Sequence, residues 1–192
     1  MKKIGVLALQ GAFKEHIKII QSLGHEAIEI RKAEQLENLD GIILPGGEST
    51  AMGKLLNDFQ IKEVLVDKIN NGLPVWGTCA GMILLAKELD GDEDAHLKVM
   101  DIKVRRNAYG SQLDSFVTKE VIKGISEKEI PMVFIRAPYI VDMDEKVDML
   151  HRVDGNIVAA RQKNMIATSF HPELTDDTTF HEYFINMIKE VK

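Results

Sequence analysis

Val75-Trp76-Gly77-Thr78-Cys79-Ala80-Gly81-Met82-Ile83-Leu84-Leu85 is the stretch that decides how this chain is read. It holds the single cysteine of the 192 residues. An apolar run leads into Cys79, a glycine stands two positions to either side, and an apolar pattern of helical character follows. This is the layout of a nucleophile elbow, G-x-S-x-G, with cysteine in place of serine. A strand ends, the chain turns sharply and a helix begins. The nucleophile at such a turn has strained backbone geometry, and small flanking residues avoid clashes. The turn also sets the sulfur near a helix N-terminus, where backbone N–H groups favour thiolate. A plainer reading stands beside this one: a lone cysteine is commonly a small buried hydrophobe. The short spacing by itself does not separate the two.

Composition narrows the classes. The length fits one domain over residues 1–192, and 45% hydrophobic residues suffice for a core. A formal charge of −6 argues against a nucleic-acid binder, which would carry a basic patch. One cysteine excludes an internal disulfide framework and fits a reducing, cytoplasmic setting. The apolar run after Lys2 and Lys3 is interrupted by Gln10 and Gly11, and charge returns at Lys14 and Glu15. It therefore reads as a first core strand rather than a signal peptide. No apolar run approaches the ~18 residues of a membrane span.

The pattern outward from the elbow predicts a layered α/β protein. Residues 4–9, 41–44 and 73–77 are nearly unbroken apolar runs, expected of parallel strands buried on both faces. Residues 26–31 read as another strand. Helical spacing appears over residues 13–23, capped by Gly24, and over residues 61–69, with a helix between starting near Ala51 and capped by Ser49 or Thr50. The first ~90 residues thus read β-α-β-α-β-α-β, a mostly parallel sheet with helices on both faces. Ligands bind such sheets at the carboxyl ends of the strands. Topology therefore gathers three loops at one edge: Gln10-Gly11, Gly46-Gly47-Glu48-Ser49 and Thr78-Cys79-Ala80. The second half reads as an antiparallel extension. Strands are expected at 99–105, 115–122 and 131–139, and a hairpin at 149–153 and 157–161 around Asp154-Gly155, which suits a type I′ turn. A strand over 165–170 leads to His171-Pro172-Glu173, and an amphipathic helix runs from Phe180 to Val191.

A catalytic cysteine needs a base in reach and a group orienting that base. Of the six histidines, His16 and His181 lie on expected helices as solvated or half-buried side chains. His25 follows a helix-capping glycine, His96 lies in an acidic loop, and His151 is inside a strand. His171 differs: it follows a buried strand at the edge where the cysteine should be. Pro172 stiffens the turn, and Glu173 can return its carboxylate to the imidazole, as triad logic requires. Gly46-Gly47 is weak as a phosphate cradle, because no Lys-Ser/Thr follows in P-loop spacing. Beside the reading as a plain tight turn stands an oxyanion hole, with donors from Ala80 N–H and from the loop 46–48, Gly47 being the candidate. Arg106 and Arg136 are strand charges by default, Arg136 the less easily dismissed because it follows an apolar run. No metal and no cofactor is expected: there is no second cysteine, no His pair at i, i+4, and no G-x-G-x-x-G after the first strand.

Gly77-Thr78-Cys79-Ala80-Gly81, His171-Pro172-Glu173 and Pro45-Gly46-Gly47-Glu48-Ser49 together resemble the class I (triad) glutamine amidotransferases. Leu7-Ala8-Leu9-Gln10-Gly11-Ala12-Phe13, Arg106-Asn107-Ala108-Tyr109-Gly110, Phe134-Ile135-Arg136-Ala137-Pro138 and the run from Thr168 to Asp176 resemble, within that class, the glutaminase subunits of pyridoxal 5′-phosphate synthases. Ser111 departs from the arginine expected there. The resemblance covers essentially the whole chain. It implies a flavodoxin-like three-layer α/β sandwich with a mostly parallel central sheet. It implies that Cys79 attacks the side-chain amide of L-glutamine, His171 moves the proton and Glu173 orients His171. Gly47, Glu48, Ser49, Arg106, Ile135 and Arg136 would hold the glutamine, and Gln10 would lie near a partner interface. The implied partner is a barrel-shaped synthase subunit in a large hetero-oligomer, which receives the ammonia. A different class I amidotransferase subunit would share the triad, and two readings outside that class also stay open at this point. A cysteine-elbow hydrolase or chaperone of flavodoxin-like fold would not need the arginines or the terminal His-Pro-Glu. A binding module without catalysis would not need an intact Cys79, His171 and Glu173.

Overall fold

The computed structural model describes residues 1–106 and 115–190. The run from Asn107 to Gly110, the departure at Ser111 and the last apolar position, Val191, lie outside the described residues.

The chain opens with β1 (Lys3–Leu7), α1 (Phe13–Ser22), β2 (Glu26–Ile30) and β3 (Gly41–Leu44). There follow α2 (Ser49–Asp58), α3 (Lys62–Asn70), β4 (Val75–Thr78), α4 (Ala80–Leu85) and β5 (Ala86–Leu89). The second half holds β6 (Met100–Arg105), β7 (Ser115–Glu120), β8 (Ile130–Ile135), β9 (Tyr139–Met143), β10 (Asp148–Val153), β11 (Asn156–Gln162), β12 (Met165–Thr168) and α5 (Thr179–Glu190). Strand order in the main sheet is β2-β1-β3-β4-β12-β11-β9-β6-β5, with β10 pairing β11. The segment β2-β1-β3-β4-β12 is parallel throughout. From β12 onward β11, β9 and β6 pair antiparallel, and β5 rejoins β6 in parallel. The mostly parallel core with its antiparallel extension is as the sequence predicts. Among the described residues no helix is long and apolar enough to cross a membrane.

Strand pleating explains why the core strands carry apolar residues without a gap. Successive side chains point to opposite faces, and both faces are covered. Ile42 and Leu44 of β3 join the cluster under α2, α3 and α4 with Met52, Leu56 and Leu65. Ile43, between them, joins the cluster under α1 and α5 with Ile20, Phe180 and Phe184. Val75 and Trp76 of β4 divide in the same way. Trp76 also donates its indole N–H to Thr168 Oγ1 at 3.0 Å, tying β4 to β12 inside the core. These two strands carry the elbow and the segment leading to His171.

Several local features differ from the sequence expectation. The connection from β2 to β3 is a single 3₁₀ turn, Ala33–Leu36, while two helices separate β3 from β4. The cap of α2 is Glu48 rather than Ser49 or Thr50. Its carboxylate accepts from the N–H groups of Thr50 (3.0 Å) and Ala51 (2.7 Å). The expected strand 131–139 is broken into β8 and β9 because Arg136 sits at φ 45°. The Asp154-Gly155 turn behaves as read, with φ 49° and 80°, both positive as a type I′ turn needs. The β7–β8 hairpin stands apart from the main sheet. Its Val133 carbonyl nevertheless accepts the N–H of His171 at 2.8 Å, so it anchors the loop after β12.

Candidate active site

Cys79 sits between β4 and α4 at φ 51°, ψ −103°. A non-glycine residue held there costs on the order of 1–3 kcal/mol, so the surroundings must enforce it. They do. The Cys79 N–H is held by Thr168 O of β12 at 2.8 Å, and Cys79 O accepts from Met82 N–H at 3.0 Å. The flanking glycines are required by space: a Cβ on Gly81 would lie 2.0 Å from Leu44 O, and one on Gly77 would lie 2.4 Å from the Gly81 carbonyl. The helix after the elbow has only six residues, shorter than the apolar run suggests, because the chain passes directly into β5. Few aligned peptides follow the sulfur, and the positive charges sharing its cleft are those of His171, Arg106 and Arg136.

Of these, His171 is the residue expected as the base. Its ring lies with Cys79 on the wall of one cleft and is paired through Nδ1 with Glu173 Oε1 at 2.7 Å. Burial pulls the pKa of His171 down. The hydrogen bonds with Cys79 and Glu173, and the charges of both, more than offset this and raise it to about 10. Glu173 is buried within the 3₁₀ turn Pro172–Leu174. Burial works against its charge, but His16 and the bonded His171 hold its carboxyl below the usual carboxylate range. Gly46 lets the loop after β3 close onto this imidazole, since a Cβ there would lie 2.3 Å from His171 Cε1.

The remaining predicted residues surround a cleft of about 410 Å³ with Cys79 and His171 on its wall, within the ~300–1,000 Å³ of typical ligand pockets. Gly47, Glu48 and Ser49 line it from the loop after β3, and Ala80 from the elbow. Ser49 is buried, yet its hydroxyl has no hydrogen-bond partner among the described residues. Arg106 reaches in from beyond β6, its guanidinium bonded to Glu48 Oε1 and Thr50 Oγ1, each at 3.2 Å, and to Glu93. Ile135 and Arg136 close the opposite side, with Ile135 O 3.9 Å from Cys79 Sγ. Gln10 is exposed, and its side-chain oxygen accepts the Glu48 N–H at 2.7 Å.

Sequence reading missed part of the surroundings. Ile83 and Leu174 line the same cleft, and Leu174 remains 45% exposed at its mouth. His16 and His181 are fully buried behind Glu173, not solvated or half-buried. A signal for both was present. His16 follows Phe13 by three residues and precedes Ile20 by four, and His181 precedes Phe184 by three and Ile188 by seven. Both therefore fall on the buried stripe of their helix.

Comparison with known proteins agrees with this architecture. The model of the SNO glutamine amidotransferase family matches residues 6–190. A Clostridium botulinum protein called pyridoxal 5′-phosphate synthase subunit PdxT is 57% identical over 187 residues, covering 97% of each chain. One of the same name from Ruminiclostridium cellulolyticum is 55% identical over 189 residues, covering 98% of this chain and all of its own. A solved structure described as a glutamine amidotransferase superposes with a TM-score of 0.92 at 44% identity, covering 97% of this chain and 98% of its own. With the elbow, the cleft and the sheet order in place along nearly the full length, the chain belongs to the SNO glutamine amidotransferase family.

Proposed function

We propose that this chain is a single amidotransferase domain and the glutaminase subunit of a pyridoxal 5′-phosphate synthase. It hydrolyses L-glutamine to L-glutamate and ammonia, and passes the ammonia to a barrel-shaped synthase subunit in a hetero-oligomer. The observation that carries this reading is the arrangement of Cys79 and His171 on the wall of one cleft with Glu173 buried behind and bonded to His171, in a member of an amidotransferase family. The names of the relatives add the synthase. The lone thiol suits a reducing compartment, the cytoplasm.

Arg106 and Arg136 hold the α-carboxylate of glutamine, a task suited to a planar guanidinium. Glu48 and Glu93 fix the Arg106 head, and the Ser49 hydroxyl offers a hydrogen bond that the protein leaves unused. The thiolate of Cys79 attacks the side-chain amide carbon. The carbonyl oxygen becomes an oxyanion received by the N–H groups of Ala80 and Gly47. His171, protonated at neutral pH, gives its proton to the departing nitrogen, and ammonia leaves behind a thioester. Water then attacks the thioester carbon, His171 takes a proton from it, and glutamate departs as the sulfur is freed. Gln10, exposed beside the glycine loop, lies at the face met by the synthase subunit.

A glutamine analogue with an electrophile at the amide position tests the assignment. Incubated with the protein and its synthase, it should leave one covalent adduct, located by peptide mass spectrometry on Cys79. An adduct elsewhere, or none while glutamine is still turned over, contradicts the assignment.

A further inference from the structure

Glu173 has two carboxylate oxygens, and the triad uses one. Oε1 bonds His171, while Oε2 is buried with no hydrogen-bond partner among the described residues. A buried carboxylate oxygen without a donor is costly. The group beside it is the imidazole of His16, whose Nε2 stands 3.5 Å from Oε2. Both side chains are completely shielded from solvent.

The other contacts of His16 decide where its proton sits. Nδ1 lies 2.9 Å from His181 Nε2, so one of these nitrogens donates and the other accepts. If His181 donates, His16 carries its proton on Nε2, facing Glu173. The remaining nitrogen of His181, Nδ1, has no partner. In this arrangement it is a bare lone pair, which is cheaper to bury than an unpaired N–H. The opposite arrangement would aim the lone pair of His16 at a carboxylate and bury an orphan N–H on His181. Thr78 Oγ1, 3.4 Å from His16 Nε2, is a neutral competitor for the same proton, and a carboxylate is the stronger acceptor. Trp76 packs edge-on against both rings, at 5.6 Å from His16 and 4.9 Å from His181.

We propose that His16 is a positioning residue for the glutaminase reaction: its Nε2–H, oriented by His181, holds the second oxygen of Glu173 and so fixes the plane of the carboxylate that orients His171. The relay runs from α5 through α1 into the site. A spacing of 3.5 Å is long for a hydrogen bond, and such contacts tighten when substrate binds. Burial works against the cationic form of both histidines. Burial depresses His16, with Glu173 opposing and His171 adding to the depression, and burial together with His16 takes His181 down to about 2. A neutral donor suits the role, because it steadies the carboxylate without competing as a cation for its charge. The groups facing Glu173 are His171 and His16, and those facing His16 are His181, Thr78 and Glu173, with Glu15 acting at longer range.

This inference rests on the triad reading above. Its test is a double-mutant cycle on steady-state glutamine hydrolysis with the synthase present. His16→Phe should lower kcat about tenfold or more, leave KM within about twofold, and move the acid limb of the kcat profile to higher pH, because Glu173 then protonates more readily. His16→Gln, whose amide can still donate, should recover most of the loss. In a Glu173→Gln background His16→Phe should cost nothing further. Should His16→Phe fail to fold by circular dichroism, His16→Leu and His181→Leu, which cannot donate, carry the same readouts, each expected to couple to Glu173→Gln. Wild-type kcat and pH limb in a folded His16→Phe or His16→Leu protein, or effects that simply multiply with Glu173→Gln, would overturn the role. If instead Glu173→Gln alone changes nothing, the triad reading fails and the inference with it.

Discussion

His171 is the residue on which the chemistry turns. Its folded pKa of about 10 lies above the ordinary value of 6.5. Its paired, charged form therefore stabilises the fold fully below about pH 6.5, and that contribution is lost as pH rises through about 10. The same sign governs catalysis. With His171 as the proposed proton donor to departing ammonia, its charged form persists until about pH 10, so the alkaline limb of kcat/KM should fall there. Glu173→Gln removes the carboxylate charge that helps to raise His171, so the limb should move to lower pH and kcat should drop. A pH–rate series on the two proteins checks this, and an unmoved limb would show that Glu173 does not act through His171. That Cys79, His171 and Glu173 gather at one edge of the sheet was legible in the sequence, because motif spacing and strand-end placement constrain them tightly. The burial of His16 and His181 was signalled only by their spacing from apolar helix positions; a histidine on a helix counts as polar, and what its ring packs against is set by tertiary structure. The role of Arg136 in ending a strand was equally hidden, since its positive φ comes from the loop it belongs to and not from its own preference.

At the scale of elements, the elbow depends on how closely α4 approaches β3. Gly81→Ala would place a methyl 2.0 Å from Leu44 O, a backbone atom that cannot swing aside. The expected cost is at the upper end of, or beyond, the ~1–3 kcal/mol typical of overpacking. Urea unfolding should show a lower midpoint with unchanged slope, whereas wild-type stability would mean that α4 can shift freely. The parallel strands β1, β3 and β4 were readable as apolar runs because both faces of the sheet are buried. Neither β5 nor β9 was. With four and five residues, they lack a period long enough to register, and they are strands only because β6 runs between them. The crossover from β2 to β3 likewise carries one 3₁₀ turn where a regular β-α-β pattern suggests a helix.

Across the whole molecule, the sheet brings residues from the start, middle and end of the chain to one edge. Gln10 and Glu48 meet through a hydrogen bond, Cys79 meets His171, and Arg106 and Arg136 close the cleft. For the loops at Gln10-Gly11, Gly46–Ser49 and Thr78–Ala80 that convergence followed from the parallel topology, whereas Arg106 and Arg136 read as strand charges and were tied to the site only by the family resemblance. What topology could not supply was the depth of the site: behind the triad stand His16 of α1, His181 of α5 and Thr78 at the end of β4. Leu174 and Ile135, exposed by 45% and 40% beside the cleft, form an apolar rim suited to a covering partner. Cys79 would thus hold the glutamyl group as a thioester while the amide nitrogen leaves as ammonia for another subunit. The direct measurement is pyridoxal 5′-phosphate formation by the purified synthase subunit supplied with glutamine and either wild-type protein or Cys79→Ala. Wild type should support synthesis from glutamine, and Cys79→Ala should reduce it by several orders of magnitude, while ammonium salt restores synthesis with either protein. Synthesis from glutamine at the wild-type rate with Cys79→Ala would contradict the account.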